Sequence, residues 1–162
     1  MNFTEFKLNA QILSGVKELG YETATPIQEK AIPSILAGLD VVGTAQTGTG
    51  KTAAFALPLL QRLMDGPRGQ LRGLILAPTR ELAEQIRQSI DRLAIRTGLR
   101  CTAIYGGANL VKQYQILRRG VDIVIACPGR LLDHINRGNI NLTQVEVLVL
   151  DEADHMFDLG FR

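Results

Sequence analysis

Val41-Val42-Gly43-Thr44-Ala45-Gln46-Thr47-Gly48-Thr49-Gly50-Lys51-Thr52 reads as a buried strand, a glycine-rich turn and the start of a helix. That order describes a phosphate cradle. Glycines at 48 and 50 let the turn approach an anion closely, so that successive backbone N–H groups and the helix N-terminus point at its oxygens. Lys51 adds a mobile positive charge for the outer phosphates, and the Thr52 hydroxyl, one residue further, is placed to ligate Mg²⁺. The strict P-loop pattern begins with glycine, where this chain has Ala45. The candidate phosphate-binding residues are therefore Ala45 through Thr52.

The rest of the chain bounds the use of the cradle. There are 162 residues, of which 46% are hydrophobic, enough for one domain with a substantial core. The formal net charge of +2 permits a polyanionic partner without demanding one. Cys101 and Cys127 lie far apart, with no Cys-x-x-Cys and no histidine at ligand spacing, which points away from zinc or redox chemistry and towards two buried thiols in a reducing compartment. The start, Met1 to Lys7, has no apolar run behind a basic flank, and no apolar run approaches the ~18 residues of a membrane span. The expected location is cytoplasmic, with no membrane partner.

Along the chain, Asn9 can cap a first helix from Ala10 to Leu19, with Gly20 in the left-handed position after it. Thr25-Pro26-Ile27-Gln28 starts a second helix as a capping box, and Pro33 should kink or split it. The helix after the cradle spans Thr52 to Met64, and Asp65 to Gln70 is a surface loop. From there apolar strands (73–77, 101–105, 123–126, 145–150) alternate with helices (80–96, 110–119, 130–137). With the cradle's own strand this pattern implies an α/β fold: a parallel sheet covered by helices on both faces, with right-handed crossovers.

In open parallel sheets ligands gather outside the carboxyl ends of the strands. After the last strand comes Asp151-Glu152-Ala153-Asp154, three carboxylates in four residues. Acidic residues also favour helix starts, so a plain cap is the bland alternative. Paired with a phosphate cradle, Asp151 becomes the natural Mg²⁺ partner and Glu152 the group that orients or deprotonates an attacking water.

These two segments together resemble the DEAD-box RNA helicases of superfamily 2. Other stretches agree in order and spacing. Gly20 to Gln28, with Phe3 upstream, resembles the family's Q motif, which makes Phe3, Tyr21 and Gln28 the implied adenine side of a nucleotide site. The Gln28 amide can donate and accept side by side, as a bidentate pair with adenine needs, although the capping box would use the same side chain. Pro78-Thr79-Arg80-Glu81-Leu82-Ala83 resembles motif Ia, Gly106-Gly107 the glycine doublet, and Cys127-Pro128-Gly129-Arg130 motif Ib. The resemblance implies that Pro78, Thr79, Arg80, Gly106, Gly107, Cys127, Pro128, Gly129 and Arg130 meet the phosphate backbone of RNA, without sequence specificity. It also implies that Asp154 couples the acidic box to a later Ser-Ala-Thr segment. Lys51, Asp151 and Glu152 are the implied catalytic residues, with ATP and Mg²⁺ as cofactors. Asp158-Leu159-Gly160-Phe161 is similar to the segment that many members carry after the acidic box.

Two residues depart from the pattern: Ala24 stands where the family usually has proline, and Cys127 where motif Ib usually has threonine, which removes a hydroxyl contact. No Ser-Ala-Thr comes between the acidic box and Arg162. On the resemblance, the expectation is an N-terminal RecA-like domain, with 1–40 as the Q-motif region and 41–162 as the P-loop core, incomplete at its C-terminal end. A second RecA-like domain of the parent chain would supply arginine fingers and half of the RNA cleft. The isolated chain is then expected to have little ATPase activity. His134 is expected to be a partly exposed filler of an amphipathic helix. A non-catalytic ATP- or RNA-binding module, or a superfamily 2 DNA helicase fragment, also fits the residues, since phosphate contacts do not distinguish sugars.

Overall fold

Four short apolar runs carry the sheet: β1 (Gly73–Leu76), β2 (Cys101–Ile104), β3 (Ile123–Ala126) and β4 (Val147–Leu150). In the computed structural model, which describes residues 1–160, they pair entirely in parallel in the order β2-β3-β1-β4. The α/β expectation holds. The helices are α1 (Ala10–Glu18), α2 (Pro26–Leu36), α3 (Lys51–Met64), α4 (Arg80–Leu93), α5 (Leu110–Arg119), α6 (Pro128–Asn136) and α7 (Ala153–Asp158), preceded by a 3-10 turn at Phe3–Phe6. Among the described residues no helix is long and apolar enough to cross a membrane.

The chain divides into two compact units: Met1–Gly66 with Ser89–Gly98, and Pro67–Gln88 with the residues from Leu99 onward. In the first unit α3 packs on α1 and α2, and Ile12, Ile32, Leu57, Leu60 and Leu63 are fully buried. Gly15 has no room for a side chain, since a Cβ there would lie 2.4 Å from the Leu93 carbonyl oxygen. Asn9 caps α1 as expected, accepting from Gln11 N at 2.8 Å.

In the second unit β3 is buried along its whole length, because it has a strand on each side and apolar residues on both faces. The registers pair Leu76 with both Ala126 and Leu150, and Ile104 with Ala126, so all four strands end level. The segments after them therefore emerge along one edge of the sheet. At the opposite edge the buried Asp122 carboxylate accepts from Gly69 N (2.8 Å) and Arg100 N (2.9 Å). The first of these bonds fastens the surface loop at 65–70 to the sheet.

Two expectations change. The strand foreseen at the start of the 41–52 stretch does not form, and Val42 is 99% exposed. An apolar run becomes a strand only when an edge offers it ladder bonds, and no described strand pairs with this one. Among the described residues β4 pairs only with β1, and Leu148 is 57% and Leu150 51% exposed. Of the kink or split expected at Pro33, the split does not occur, since α2 runs on to Leu36. The ring is exposed and lies near the helix end, so its missing N–H costs one bond in the last turns.

Candidate nucleotide site and nucleic-acid face

The turn of the cradle forms although its strand does not. Gly48 (φ 81°) and Gly50 (φ 85°) both take the left-handed conformation, and Gly50 caps the 14-residue helix α3. The Thr49 hydroxyl donates to Gln46 O at 2.6 Å and closes the turn. Among the described residues no backbone N–H from Thr47 through Ala53 donates to a protein acceptor. A row of unpaired donors leading into a helix N-terminus fits an anion, because the helix dipole and the amide dipoles add there.

Gln28 holds this turn in place. Its side chain is 3% exposed, Oε1 accepts from Thr25 N (2.9 Å) and Nε2 donates to Gly50 O (3.1 Å). The first bond is the capping bond of α2. The second, across 22 residues, ties the start of α2 to the glycine turn at 48–50 and has no signal in the sequence. A Cβ on Gly50 would stand 2.4 Å from Gln28 Nε2, so the contact requires glycine. One lone pair on Oε1 and one hydrogen on Nε2 remain for a nucleotide base. The aromatic side is layered: Phe3 is buried, with Tyr21 stacked at 6.1 Å and Phe6 edge-on at 5.8 Å. Tyr21 is the exposed ring of the three. The N-terminal segment is held by Ala24 N donating to Met1 O (2.9 Å) and by the Met1 ammonium on Glu29 (2.7 Å).

In the other unit, Asp151 N donates to Leu76 O at 2.9 Å, which continues the sheet into the acidic box. Glu152 then takes a left-handed backbone (φ 52°, ψ 51°), a conformation that costs a non-glycine residue energy, and its Oε2 lies 3.3 Å from His155 Nδ1. Asp154 is exposed. The described residues hold no cluster of three or more metal-ligating side chains. Mg²⁺ does not need one, since it binds through one or two carboxylates and keeps waters and phosphate oxygens for the rest. Lys51 and Thr52 lie in the first unit, and Asp151, Glu152 and Asp154 in the second. Phe161 lies outside the described residues.

The three segments expected to meet nucleic acid leave the level ends of β1, β2 and β3. Thr79 caps α4, its Oγ1 accepting from Leu82 N at 3.2 Å. The Arg80 guanidinium lies 4.9 Å from the centre of the Tyr105 ring. Tyr105 donates its hydroxyl hydrogen to Glu84 Oε1 at 2.7 Å. Burial alone would raise the Glu84 carboxyl, but bonds from Tyr105 and Arg87 bring it below the usual value, while the same bond to Glu84 raises Tyr105. Gly107 (φ 81°) needs glycine for its backbone, and Gly106 is open and exposed. Pro128 opens α6, and Cys127 at its cap makes no side-chain capping bond. Burial pushes the Cys127 thiol up, and the two cysteines, which form no disulfide, are half-buried where buried thiols were expected. His134 is the larger correction: it is 0% exposed and fully bonded, because α6 turns that side towards α5 and not to water.

A family model described as DEAD/DEAH box helicase matches residues 25–162. An ATP-dependent RNA helicase CshA of Listeria monocytogenes is 48% identical over 159 residues, covering 98% of this chain and 30% of that protein. The crystal structure of the RNA-helicase Prp28 from Chaetomium thermophilum bound to ADP superposes with a TM-score of 0.92 at 42% identity, covering 99% of this chain and 40% of that one. A DEAD box protein from Methanococcus jannaschii gives the same TM-score, 0.92, at 43% identity over 99% of this chain and 44% of that one. The chain thus spans under half the length of these relatives.

Proposed function

Since the chain belongs to the DEAD/DEAH box helicase family, we propose that it is the ATP-binding half of an ATP-dependent RNA helicase, its N-terminal RecA-like domain. In the parent protein, ATP hydrolysis is coupled to RNA binding and duplex unwinding. The observation that carries this reading is the Gln28-braced turn, with its row of unpaired N–H groups at the start of α3. Residues 45–50 hold the inner phosphates through these donors, and Lys51 neutralises the outer ones. Gln28 reads the adenine edge with its remaining donor and acceptor, beside the exposed ring of Tyr21 and with Phe3 beneath it. On the family resemblance, Thr52 and Asp151 would be the residues to hold Mg²⁺, whose charge would offset that of the phosphates. Glu152 orients the attacking water and takes its proton at a carboxylate oxygen. Asp154 couples this site to the RNA face.

That face consists of Pro78, Thr79 and Arg80, the Gly106-Gly107 turn, and Cys127 to Arg130, which meet RNA phosphates through backbone N–H groups and guanidinium groups. A second RecA-like domain of the parent completes the cleft and speeds turnover.

The test is calorimetric titration of this chain with ADP and Mg²⁺, followed by ATP turnover with and without single-stranded RNA. Weak ADP binding and slow, RNA-independent hydrolysis are expected. Glu152→Gln should keep the ADP affinity of the parent sequence while stopping turnover in any longer form that hydrolyses ATP. Absence of ADP binding at millimolar concentration, or duplex unwinding by these 162 residues alone, refutes the assignment.

A further inference from the structure

A chain of buried polar groups runs behind the proposed RNA face. Gln113, on α5 and 6% exposed, is its hub. Its Nε2 donates to Tyr105 O at 3.0 Å, and its Oε1 accepts from Arg130 Nη1 (3.1 Å) and His134 Nε2 (3.0 Å). Arg130 Nη1 donates also to Ala108 O at 3.0 Å. Asn139 Nδ2, which can only donate, lies 3.1 Å from His134 Nδ1. Nδ1 must therefore accept, the proton sits on Nε2, and the tautomer that serves Gln113 is set.

Tyr105 and Ala108 flank the glycine doublet, so the network grips the turn by a carbonyl on each side. Glycines at 106 and 107 leave that turn little stiffness of its own. An apolar contact between α5 and α6 could fill the same space, but it would hold no carbonyl. Both ends of the Gln113 amide and both His134 ring nitrogens are bonded, which fixes their arrangement, while the buried Arg130 Nε has no hydrogen-bond partner. The Arg130 side chain is 13% exposed, with one terminal nitrogen occupied twice, so it braces the turn as well as presenting charge beside it. At the front, Tyr105 bonds Glu84 on α4 and carries the Arg80 guanidinium. The three strand-end segments are in this way joined through Tyr105 and Gln113.

We propose that Gln113 and His134 are positioning residues for RNA: they hold the Gly106-Gly107 turn and Arg130 in the arrangement that accepts a phosphate chain. This rests on the reading of that face as an RNA surface. Preorganised donors lose less freedom on binding, which raises affinity without adding a contact.

The experiment measures binding of this chain to a fluorescent single-stranded oligo(U) RNA by anisotropy at several salt concentrations, with ADP affinity measured in parallel. Gln113→Leu and His134→Leu are expected to weaken RNA binding about fivefold to tenfold and to flatten its salt dependence, because fewer phosphates are engaged at once. ADP affinity should stay within about twofold. His134→Gln, whose amide can donate to Gln113 and accept from Asn139, is expected to restore RNA binding. Unchanged RNA binding in both leucine variants overturns the proposal, as does parallel loss of RNA and ADP binding or failure of His134→Gln to restore. If Gln113→Leu does not fold, the two His134 variants decide. A wild-type chain that does not bind RNA at all overturns the underlying assignment of the face, a distinct result.

Discussion

Replacing Gln28 by alanine tests whether one buried amide supports both the start of α2 and the glycine turn before α3. The substitution removes the bond accepted from Thr25 N and the bond donated to Gly50 O. At about 1 kcal/mol for each, the expected loss of stability is ~2 kcal/mol. For a chain of this size that lowers the unfolding midpoint by roughly 4–8 °C. Gln28→Glu separates the donor from the acceptor: it keeps an acceptor for Thr25 N but sets a carboxylate oxygen against Gly50 O at a buried position, so at neutral pH it should cost at least as much stability as alanine. Both variants should bind ADP more weakly. GDP serves as the control: loss of adenine recognition alone spares GDP, whereas a loosened glycine turn weakens both nucleotides. The structure favours weakening of both, with the larger effect on ADP. Thermal unfolding by circular dichroism and calorimetric titration provide the measurements. An unfolding midpoint within a degree of the parent, with unaltered ADP affinity, refutes the brace.

Two further outcomes concern other buried polar groups. Asp122→Ala leaves Gly69 N and Arg100 N without acceptors at a site that is 1% exposed, and should cost about 2–4 kcal/mol in urea unfolding; a cost below about 0.5 kcal/mol contradicts the pinning of the 65–70 loop. His134 is held below the ordinary imidazole value of 6.5, first by burial and then by Arg130, with Arg137 adding to the effect and Asp133 opposing it. The unfolded chain therefore binds this proton more readily than the folded one. The contribution of neutral His134 is complete above about pH 6.5 and is lost as pH falls through the lower folded value. His134→Gln should flatten the fall in stability between about pH 7 and 5; an unchanged slope means that the ring does not titrate with folding.

Legibility in the sequence tracked the range of the interaction. α5 and β3 end at the residues their periodicity indicates, 110–119 and 123–126, because caps, glycines and apolar repeats act within a turn or two. The turn glycines and the chemistry after each strand were equally plain, since residue type alone restricts a left-handed backbone or a carboxylate cluster. The start of the 41–52 stretch shows where that logic ends. Its composition is that of a buried strand, yet a strand exists only through a neighbour's ladder, and composition does not say whether an edge is available.

The site divides along the same line. The amino-acid sequence by itself determined the parallel α/β class, the glycine turn at 48–50, the acidic run at 151–154 and the family. Only the tertiary structure decided that Gln28 braces Gly50 across 22 residues, and that His134 is a buried member of a network with Gln113, Arg130 and Asn139. Periodicity marks which side of a helix is apolar. It cannot say which distant carbonyl a buried amide or imidazole will meet, because that depends on how helices and loops come together in space.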